Sequence, residues 1–367
     1  MSARVLIVTW DGGGNVPPAL NLGARLARRA HEVRILGWSS TARSAIDAGL
    51  TFSSLSTPQV PPGRTLDDVW DDLVDPRLHG QPTVEEILAV ARTFRPDLLV
   101  IDAMMGAAFV AAGRLGLPTV ALVHVRYAPF VNIWGDGLMH TSTLGLLSRA
   151  DLVLALTAPD FDDLPHALPA NTTFVGPILA PAGATTAGLP ELLQPGPPWV
   201  LVSLSTTAQH QHKALPTILE AVGALPVRAL LTLGGVLPVE AVTVPGNVLV
   251  RSFVPHDRVL PHMSAVVCHG GLSTVTTSLA HGVPLVCIPQ GRDQPGNADR
   301  VRACGVGEAV SPDANAAEIA DSLSRVLNDG ASRAAARRFT APDSGARAAE
   351  LVEGLLHADR TALATTG

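Results

Sequence analysis

The sequence predicts two α/β domains, each built on a doubly wound parallel sheet. Two series of short Val-, Leu- and Ile-rich runs alternate with amphipathic stretches, and continuous apolar runs are typical of strands buried on both faces. Between the two series, residues 180–198 are rich in Pro, Gly, Ala and Thr, which is typical of a linker. The chain has 367 residues, 47% of them hydrophobic, which is enough for two cores.

The order of the patterns gives the predicted elements. In the first domain the strands are 4–10, 32–38, 97–102, 119–125 and 151–156, with helices at 19–30, 84–94 and 106–116. In the second the strands are 199–206, 228–235, 247–253, 264–271 and 284–290, with helices at 213–224, 272–281, 294–304 and 315–328. The predicted divisions are an N-terminal domain 1–181, a linker 182–198, a C-terminal domain 199–343, a helix 344–357 that packs back on the N-terminal domain, and a tail 358–367.

Composition excludes several classes of function. A formal net charge of −6 without a Lys/Arg cluster argues against a nucleic-acid partner. Residues 1–10 lack the pattern of a secretory signal, and no apolar run approaches the roughly 20 residues that span a bilayer. Cys268, Cys287 and Cys304 match no zinc spacing and indicate reduced thiols. We therefore expect a cytoplasmic protein without membrane insertion; its oligomeric state, a homodimer included, stays open.

A glycine-rich segment, TWDGGGNVPPAL at 9–20, joins the first strand to the first helix. The dinucleotide fingerprint Gly-x-Gly-x-x-Gly fails because Pro17 stands at the third glycine, and the strand 32–38 ends without an acidic residue. No Gly-Lys-Ser/Thr follows, so the segment is not a P-loop either. The turn has another purpose, or none beyond joining the two elements.

The motif that carries most chemistry lies at 269–274. His269 ends a buried strand, and Gly270 and Gly271 precede Ser273 and Thr274 at the start of a helix. Backbone N–H groups at a helix N-terminus favour anions, and glycines let a phosphate come close. The pattern predicts a diphosphate site that needs no metal; the alternative is an ordinary turn with Ser273 as helix cap and His269 in the core.

Asp293 and Gln294 follow the next strand, immediately before a helix. A carboxylate and an amide side by side can hydrogen-bond to vicinal hydroxyls of a sugar, although an isolated pair of this kind is usually only a helix cap.

Together, HGG-x-x-T, GVP-x-x-x-x-P and DQ-x-x-NA-x-x-V resemble the donor-binding signature of family 1 glycosyltransferases, and most closely the bacterial branch that modifies antibiotics and other natural products. The resemblance implies the GT-B fold, in which two Rossmann-like domains face each other across a cleft. It implies inverting transfer from a nucleoside diphosphate sugar, TDP or UDP, to a small hydrophobic acceptor, without metal or cofactor. It also implies that Phe253 stacks on the base, that the Val254 backbone contacts the base edge, and that Ser205 and Thr206 lie near the phosphates.

Two departures from that family pattern affect the predicted site. Ser273 stands where many members have glycine, and Asn15 stands where many have the histidine that deprotonates the acceptor. A carboxamide cannot take a proton at neutral pH. Three carboxylates are therefore candidates for a replacement base: Asp11 ranks first, Asp102 second and Asp136 third. Asn15 would position the same proton as Asp102. His124 and His140 rank below the carboxylates.

The acceptor side is predicted at 60–83 and 126–145, where regular patterning lapses. The residues predicted to bind the acceptor are Trp10, His124, Tyr127, Phe130, Trp134, Asp136 and His140. Two alternatives remain at this point: a nucleotide-sugar epimerase of the same fold, and a non-catalytic binder of sugar nucleotides, which Asn15 suggests. The acceptor, the sugar, and an O-, N- or C-glycosidic bond are left open.

Overall fold

The computed structural model describes residues 2–164, 168–179, 189–205, 214–234, 239, 242–340 and 343–365. It divides the chain into two compact units: residues 1–181 with 343–367, and residues 182–342. We refer to them as the first and second unit. The C-terminal helix thus belongs to the first unit, although the second unit precedes it in the chain.

The first unit is built on a seven-stranded sheet in which every described pairing is parallel. Its strands are β1 Arg4–Val8, β2 Glu32–Trp38, β3 Thr51–Leu55, β4 Leu98–Asp102, β5 Thr119–Val123, β6 Leu152–Ala155 and β7 Thr172–Phe174. The order β3-β2-β1-β4-β5-β6-β7 reverses direction between β1 and β4. In doubly wound sheets, ligands bind beyond the carboxyl ends of the strands at such a reversal.

Helices cover both faces of this sheet. They are α1 Val16–Arg28, α2 Ala42–Asp47, α3 Asp75–His79, α4 Gln81–Phe94, α5 Gly106–Leu115, α6 Tyr127–Pro129, α7 Gly135–Met139, α8 Thr143–Leu147 and, at the end of the chain, α15 Ser344–Thr365. Two π-helical turns, Trp70–Val74 and Phe130–Trp134, directly precede α3 and α7.

The alternating directions of strand side chains divide the core of the first unit into two layers. Leu6 and Val8 of β1 belong to one layer, and Val5 and Ile7 to the other, where α1 and α15 pack. Ala348, Ala349 and Val352 of α15 are fully buried there. An ion pair of 2.6 Å between Arg29 and Glu353 joins the same two helices at the surface.

The second unit has a six-stranded sheet in the order β10-β9-β8-β11-β12-β13, again with parallel pairings. Its strands are β8 Trp199–Ser203, β9 Arg228–Thr232, β10 Val248–Arg251, β11 Met263–Cys268, β12 Leu285–Cys287 and β13 Gly307–Ala309. Its helices are α9 Leu215–Gly223, α10 His256–Val259, α11 Leu272–Ala280, α12 Gln294–Ala303, α13 Ala316–Asn328 and α14 Gly330–Arg337. The order is that of a Rossmann-type sheet, with the reversal between β8 and β11.

The prediction of two Rossmann-like doubly wound domains is confirmed, and some elements differ from the predicted ones. Strands β3, β7 and β13 lie at or near sheet edges and were missed, because each has only three to five residues and carries little apolar pattern. The last helix extends to Thr365 instead of ending at 357. The sequence from 358 to 365 contains no Gly or Pro that would end it.

Other predicted features are described only in part. Residues 182–188 of the predicted linker lie outside the described residues; 190–193 form a short 3-10 helix, Pro190–Leu193. Cys268 and Cys287 are buried on neighbouring strands with their sulfur atoms 3.9 Å apart, and all three cysteines are free thiols. Among the described residues, no helix combines the length and the apolar character that crossing a membrane requires.

Candidate functional site

The motif at 269–274 forms a tight turn between β11 and α11, which we call the glycine turn. Gly270 has a φ of +82°, a conformation that favours glycine. A Cβ on Gly271 would overlap Nε2 of His269, so the second glycine is required by the position of the imidazole. The helix begins with Gly271 as N-cap and without a side-chain cap. No hydrogen bond from its first N–H groups to a described residue is found, which leaves them able to meet an anion.

Ser273 is not the helix cap that the alternative interpretation required, because it lies inside α11 after the N-cap Gly271. Ser273 and Thr274 are both half-buried. Within the described part of the chain, neither hydroxyl has a hydrogen bond, so both remain available as donors beside the free N–H groups.

His269 is a neutral imidazole at the carboxyl end of β11. Burial lowers its pKa to about 4, and the neighbouring His256 and Arg292 act in the same direction while the Ser203 backbone opposes them. The side chain is 7% exposed, and its Nδ1 is buried without a partner among the described residues. A neutral imidazole has one N–H, so His269 can donate a single hydrogen bond without bringing a charge.

Asn297 connects the glycine turn to the Asp293 segment. Its Nδ2 donates to the carbonyl oxygen of Gly270 at 3.0 Å and to Oδ2 of Asp293 at 2.8 Å. Asp293 is the N-cap residue of α12 and is half-buried, and its other oxygen has no hydrogen bond to any described residue. Gln294 is buried, at 1% exposure, and its Oε1 accepts from the backbone N–H of Gln290 at 2.7 Å.

These contacts refine the predicted sugar pair. Asp293 is positioned by Asn297 and offers a carboxylate oxygen at the strand end. Gln294 fixes the loop 290–293 from inside, which makes it a positioning residue in this conformation. Asn297 lies within the DQ-x-x-NA motif but was not among the predicted site residues, and it joins the two halves of the motif.

The segment that follows β10 presents one exposed aromatic ring. Phe253 is 65% exposed, whereas Val254 beside it is 5% exposed and anchors the segment in the core. His256 binds two strand ends through Nε2, which lies 3.1 Å from Oγ of Ser203 and 3.3 Å from Oγ1 of Thr232. Burial lowers the pKa of His256 to about 4. The Phe253 ring is thus exposed on a segment that Val254 and His256 anchor near the reversal of the sheet.

The remaining donor-side residues lie on the loop after β8. Ser205 is buried, at 6% exposure. Thr206 lies outside the described residues. Since β8 pairs with β11 at the reversal, Leu204 and Ser205 leave the sheet beside the strand that His269 directly follows.

In the first unit, the carboxyl ends of β1 and β4 bring Asn15 and Asp102 together. Nδ2 of Asn15 donates to Oδ2 of Asp102 at 2.7 Å and to the Trp10 carbonyl at 2.9 Å. Its Oδ1 accepts from the N–H of Gly12 at 3.1 Å. Both Asn15 and Asp102 are 4% exposed. The glycine-rich segment is therefore folded around the Asn15 amide, which hydrogen-bonds both to the backbone of the loop and to the Asp102 carboxylate.

His124 is the third member of this group. It directly follows β5, and its Nδ1 lies 3.5 Å from Oδ2 of Asp102. Nδ1 is buried without a hydrogen bond. Nε2 has no partner among the described residues, and the side chain is 13% exposed. The other oxygen of Asp102 accepts from the N–H of Met104 at 2.9 Å. His124 and Asp102 thus face each other at slightly more than hydrogen-bond distance.

The other proposed bases have different surroundings. Asp11 is half-buried on the glycine-rich segment, and the structure gives its carboxylate no hydrogen bond or ion pair with any described residue. Asp136 is exposed, and its Oδ1 accepts from the N–H of Thr143 at 2.7 Å, which is the geometry of a turn carboxylate. His140 is 59% exposed and pairs with Asp75 at 2.8 Å.

The structure corrects part of the predicted acceptor surface. Trp10 is 4% exposed and packs edge-to-face against Trp38 and Trp70. Tyr127 and Phe130 are fully buried. These three rings belong to the hydrophobic core, because apolar surface of that size is stabilised by burial. Trp134 is half-buried against Phe130, and it remains with His124, Asp136 and His140 as an accessible candidate.

Comparison with known proteins gives the chain its context. A family described as "Erythromycin biosynthesis protein CIII-like, C-terminal domain" matches residues 216–355. Over 428 residues the chain is 28% identical to 4'-demethylrebeccamycin synthase of Lentzea aerocolonigenes, covering 97% of this chain and 100% of that protein. Over 202 residues it is 36% identical to demethyllactenocin mycarosyltransferase of Streptomyces fradiae, covering 53% of this chain and 42% of that protein.

Among solved structures, the glycosyltransferase SnogD from Streptomyces nogalater superimposes with a TM-score of 0.74 at 26% identity, covering 97% of this chain and 100% of that one. The two Rossmann-like sheets and these relatives define a protein of the GT-B glycosyltransferase class. The matched family, the curated relatives and the solved structures support a family 1 glycosyltransferase of the natural-product branch. The resemblance inferred from its motifs is thereby confirmed.

Proposed function

We propose that this protein transfers a sugar from a nucleoside diphosphate sugar, TDP- or UDP-linked, to a small hydrophobic natural product, with inversion at the anomeric carbon. The observation that carries the proposal is the glycine turn, bound through Asn297 to the carboxylate of Asp293. It combines free helix N–H groups and two hydroxyls for a diphosphate with a carboxylate for sugar hydroxyls. The first unit would hold the acceptor.

The developing charge on the departing diphosphate would be met by the N-terminus of α11 and by the N–H of His269. Dipoles that are already aimed at developing charge stabilise a transition state without reorganisation. His269 is suited to this because burial lowers its pKa to about 4, so it donates as a neutral group at pH 7. Removal of such a donor typically lowers the rate on the order of 10²-fold or more.

We further propose that the donor binds without a divalent metal. The helix N-terminus supplies the positive end that a metal would otherwise provide. Affinity for the nucleoside diphosphate is then expected to be equal with EDTA and with added magnesium. A loss of binding in EDTA that magnesium or manganese restores would overturn this part of the proposal.

For the acceptor proton, the surroundings of Asp102 favour His124 as the base. Asp102 accepts hydrogen bonds from Asn15 and from the Met104 N–H, and it is 4% exposed, so it has little access to a substrate. Nδ1 of His124 faces the carboxylate at 3.5 Å, and Nε2 has no hydrogen bond to any described residue. A carboxylate beside Nδ1 favours the tautomer in which Nε2 can accept a proton. His124 would thus take the role of the histidine that many family members have at the position of Asn15.

One assay distinguishes glycosyl transfer from epimerisation of the nucleotide sugar. The mycarosyltransferase and glycosyltransferase relatives favour transfer. The protein is incubated with a panel of TDP- and UDP-sugars, with and without aromatic and macrolide aglycones, and products are identified by mass spectrometry. We expect glycosides only where acceptor is present, with an inverted anomeric configuration by NMR coupling constants. Interconversion of sugars without acceptor would favour an epimerase, and binding without either product would favour a non-catalytic binder.

A further inference from the structure

Asp75, His79 and His140 converge in the first unit, in the two segments that lack regular patterning. Oδ1 of Asp75 lies 2.8 Å from Nε2 of His140 and 3.8 Å from Nε2 of His79. One ligand atom from each of the three residues lies within 4.8 Å of the others, and no other such group of His, Cys, Asp or Glu occurs among the described residues. Ligands held by one zinc ion at about 2.0–2.2 Å are roughly 3–3.6 Å apart, so small shifts would suffice.

Local structure explains why these three side chains meet. Asp75 and His79 are four residues apart on α3 and therefore share one face of that helix. His140 directly follows α7 and has a φ of +54°, which is uncommon for a residue other than glycine. Both helices are preceded by π-helical turns, Trp70–Val74 and Phe130–Trp134, and such turns are frequent at functional sites.

His79 is the member of the group that lacks a hydrogen bond to any described residue. Its side chain is 12% exposed, and both ring nitrogens are buried without a hydrogen bond to any described residue. Nδ1 lies against Gly106, where an added Cβ would come within 2.5 Å of it. Nε2 faces Asp75. A buried polar group without a hydrogen bond is destabilising, and the ion pair between Asp75 and His140 does not supply one to His79.

Access from solvent also suits a metal site. His140 is 59% exposed, so the group is open to solvent on one side. An ion could reach it there and retain a water ligand.

We propose that Asp75, His79 and His140 form a zinc site in which water completes the coordination. Two imidazoles and a carboxylate with an open position are typical zinc ligands, whereas calcium and magnesium prefer oxygen alone. The ion would join α3 to the end of α7, whose ligands lie 65 residues apart in the chain. Its three ligands are residues of the first unit, whereas the proposed donor residues belong to the second, and the zinc site does not depend on the proposed activity.

The test uses untagged full-length protein, freed of metal by chelator and dialysis, because an affinity tag of histidines would bind zinc itself. Zinc affinity is measured by competition with a chromophoric chelator, and the melting temperature with and without zinc. We expect one zinc ion per chain and a higher melting temperature when it is bound. Cobalt in place of zinc is expected to give the visible absorption of a site with nitrogen and oxygen ligands.

The decisive variant is His140→Ala, since an exposed side chain can be removed with little risk to folding. It is expected to weaken zinc binding by at least about 10²-fold, because loss even of residues that only support a metal ligand costs about 10- to 100-fold. Asp75→Asn, which keeps the shape of the side chain, is expected to weaken binding similarly. His357→Ala removes an exposed histidine of α15 and is expected to leave affinity and stoichiometry unchanged.

Two outcomes would overturn the proposal. One is wild-type protein that binds no zinc at micromolar concentrations while remaining folded. The other is stoichiometric binding that His140→Ala and Asp75→Asn leave unchanged, which would assign the ion to another part of the chain. A loss of catalytic activity plays no part in either result, so failure of the proposed glycosyl transfer would leave this test intact.

Discussion

The amide of Asn297 and the carbonyl of Gly270, 27 residues apart in sequence, are joined by a hydrogen bond of 3.0 Å. Through its second N–H, the same amide holds Asp293 at 2.8 Å. The glycine turn after β11 and the segment after β12 are thereby fixed to each other at the carboxyl edge of the second sheet. Asn297 is 1% exposed, so both bonds are sheltered from water.

Replacement of this amide is expected to weaken both folding and donor binding. Asn297→Ala removes two hydrogen bonds to buried or half-buried oxygens, which destabilises a protein by about 1–3 kcal/mol. It also frees the glycine turn from Asp293, so affinity for a nucleoside diphosphate sugar, measured by calorimetry, should fall at least tenfold.

Asn247 provides a matched control for that experiment. Its Nδ2 also donates two hydrogen bonds, to the carbonyls of Val222 and Val227 at 3.0 Å each, but Asn247 precedes β10 at the opposite, amino edge of the sheet. Asn247→Ala should lower stability to a similar extent and leave donor affinity unchanged. Equal losses of affinity in both variants would mean that Asn297 acts only through stability.

Phe253 is expected to contribute to nucleotide binding without contributing to stability. Its ring is 65% exposed, and stacking of an aromatic side chain on a base is worth about 1–3 kcal/mol. Phe253→Ala should therefore weaken binding of the nucleoside diphosphate about tenfold or more at an unchanged melting temperature. Leu193, in the same unit and 64% exposed, is the control, and Leu193→Ala should bind like wild type. Unchanged affinity in Phe253→Ala would exclude stacking.

Burial of His269 should make the protein less stable in acid. The folded-state pKa is about 4 against an ordinary 6.5, so the unfolded chain binds more protons between these values. Stability from the neutral form is complete above pH 6.5 and is lost as the pH falls toward 4. The loss from this residue between pH 7 and pH 5 is about 2 kcal/mol.

The measurement is urea unfolding of wild type and His269→Gln, followed by circular dichroism at both pH values. Glutamine does not titrate, so the variant should lose about 2 kcal/mol less than wild type over that interval. His256, whose pKa burial also lowers to about 4, is present in both proteins and cancels in the comparison. Identical pH dependence would show that His269 is accessible to protons in the folded protein.

The parts of the fold and site that local pattern determines could be predicted from sequence. The buried runs of β1, β4, β8 and β11 identified both sheets, and the two glycines beside His269 identified the turn. Burial of Trp10, Tyr127 and Phe130 could not be predicted, since aromatic residues in an irregular segment suit a ligand surface and a core equally well.

Contacts between residues far apart in the sequence could not be predicted either. Nothing in the local sequence pairs Asp75 with His140 or His124 with Asp102, since each pair depends on how two loops leave the sheet. Asn297 stood within a quoted motif, but a buried asparagine in a helix has no pattern of its own. Its role follows only from the two oxygens that it contacts.

The identity of the base is expected to emerge from pH–rate profiles of wild type beside four variants. His124→Gln should lose about 10²–10⁴-fold in rate together with the acidic limb of the profile, because the group that accepts the acceptor proton is gone. Asp102→Asn should also be slow, because the amide no longer favours the Nε2-accepting tautomer of His124. Asp11→Asn and Asp136→Asn should keep near-normal rates, the latter because its carboxylate already serves the Thr143 N–H. A large loss in Asp11→Asn with His124→Gln unaffected would restore the ranking made from sequence. Mild effects in all four would mean that the acceptor ionises, or reacts through carbon, without a protein base.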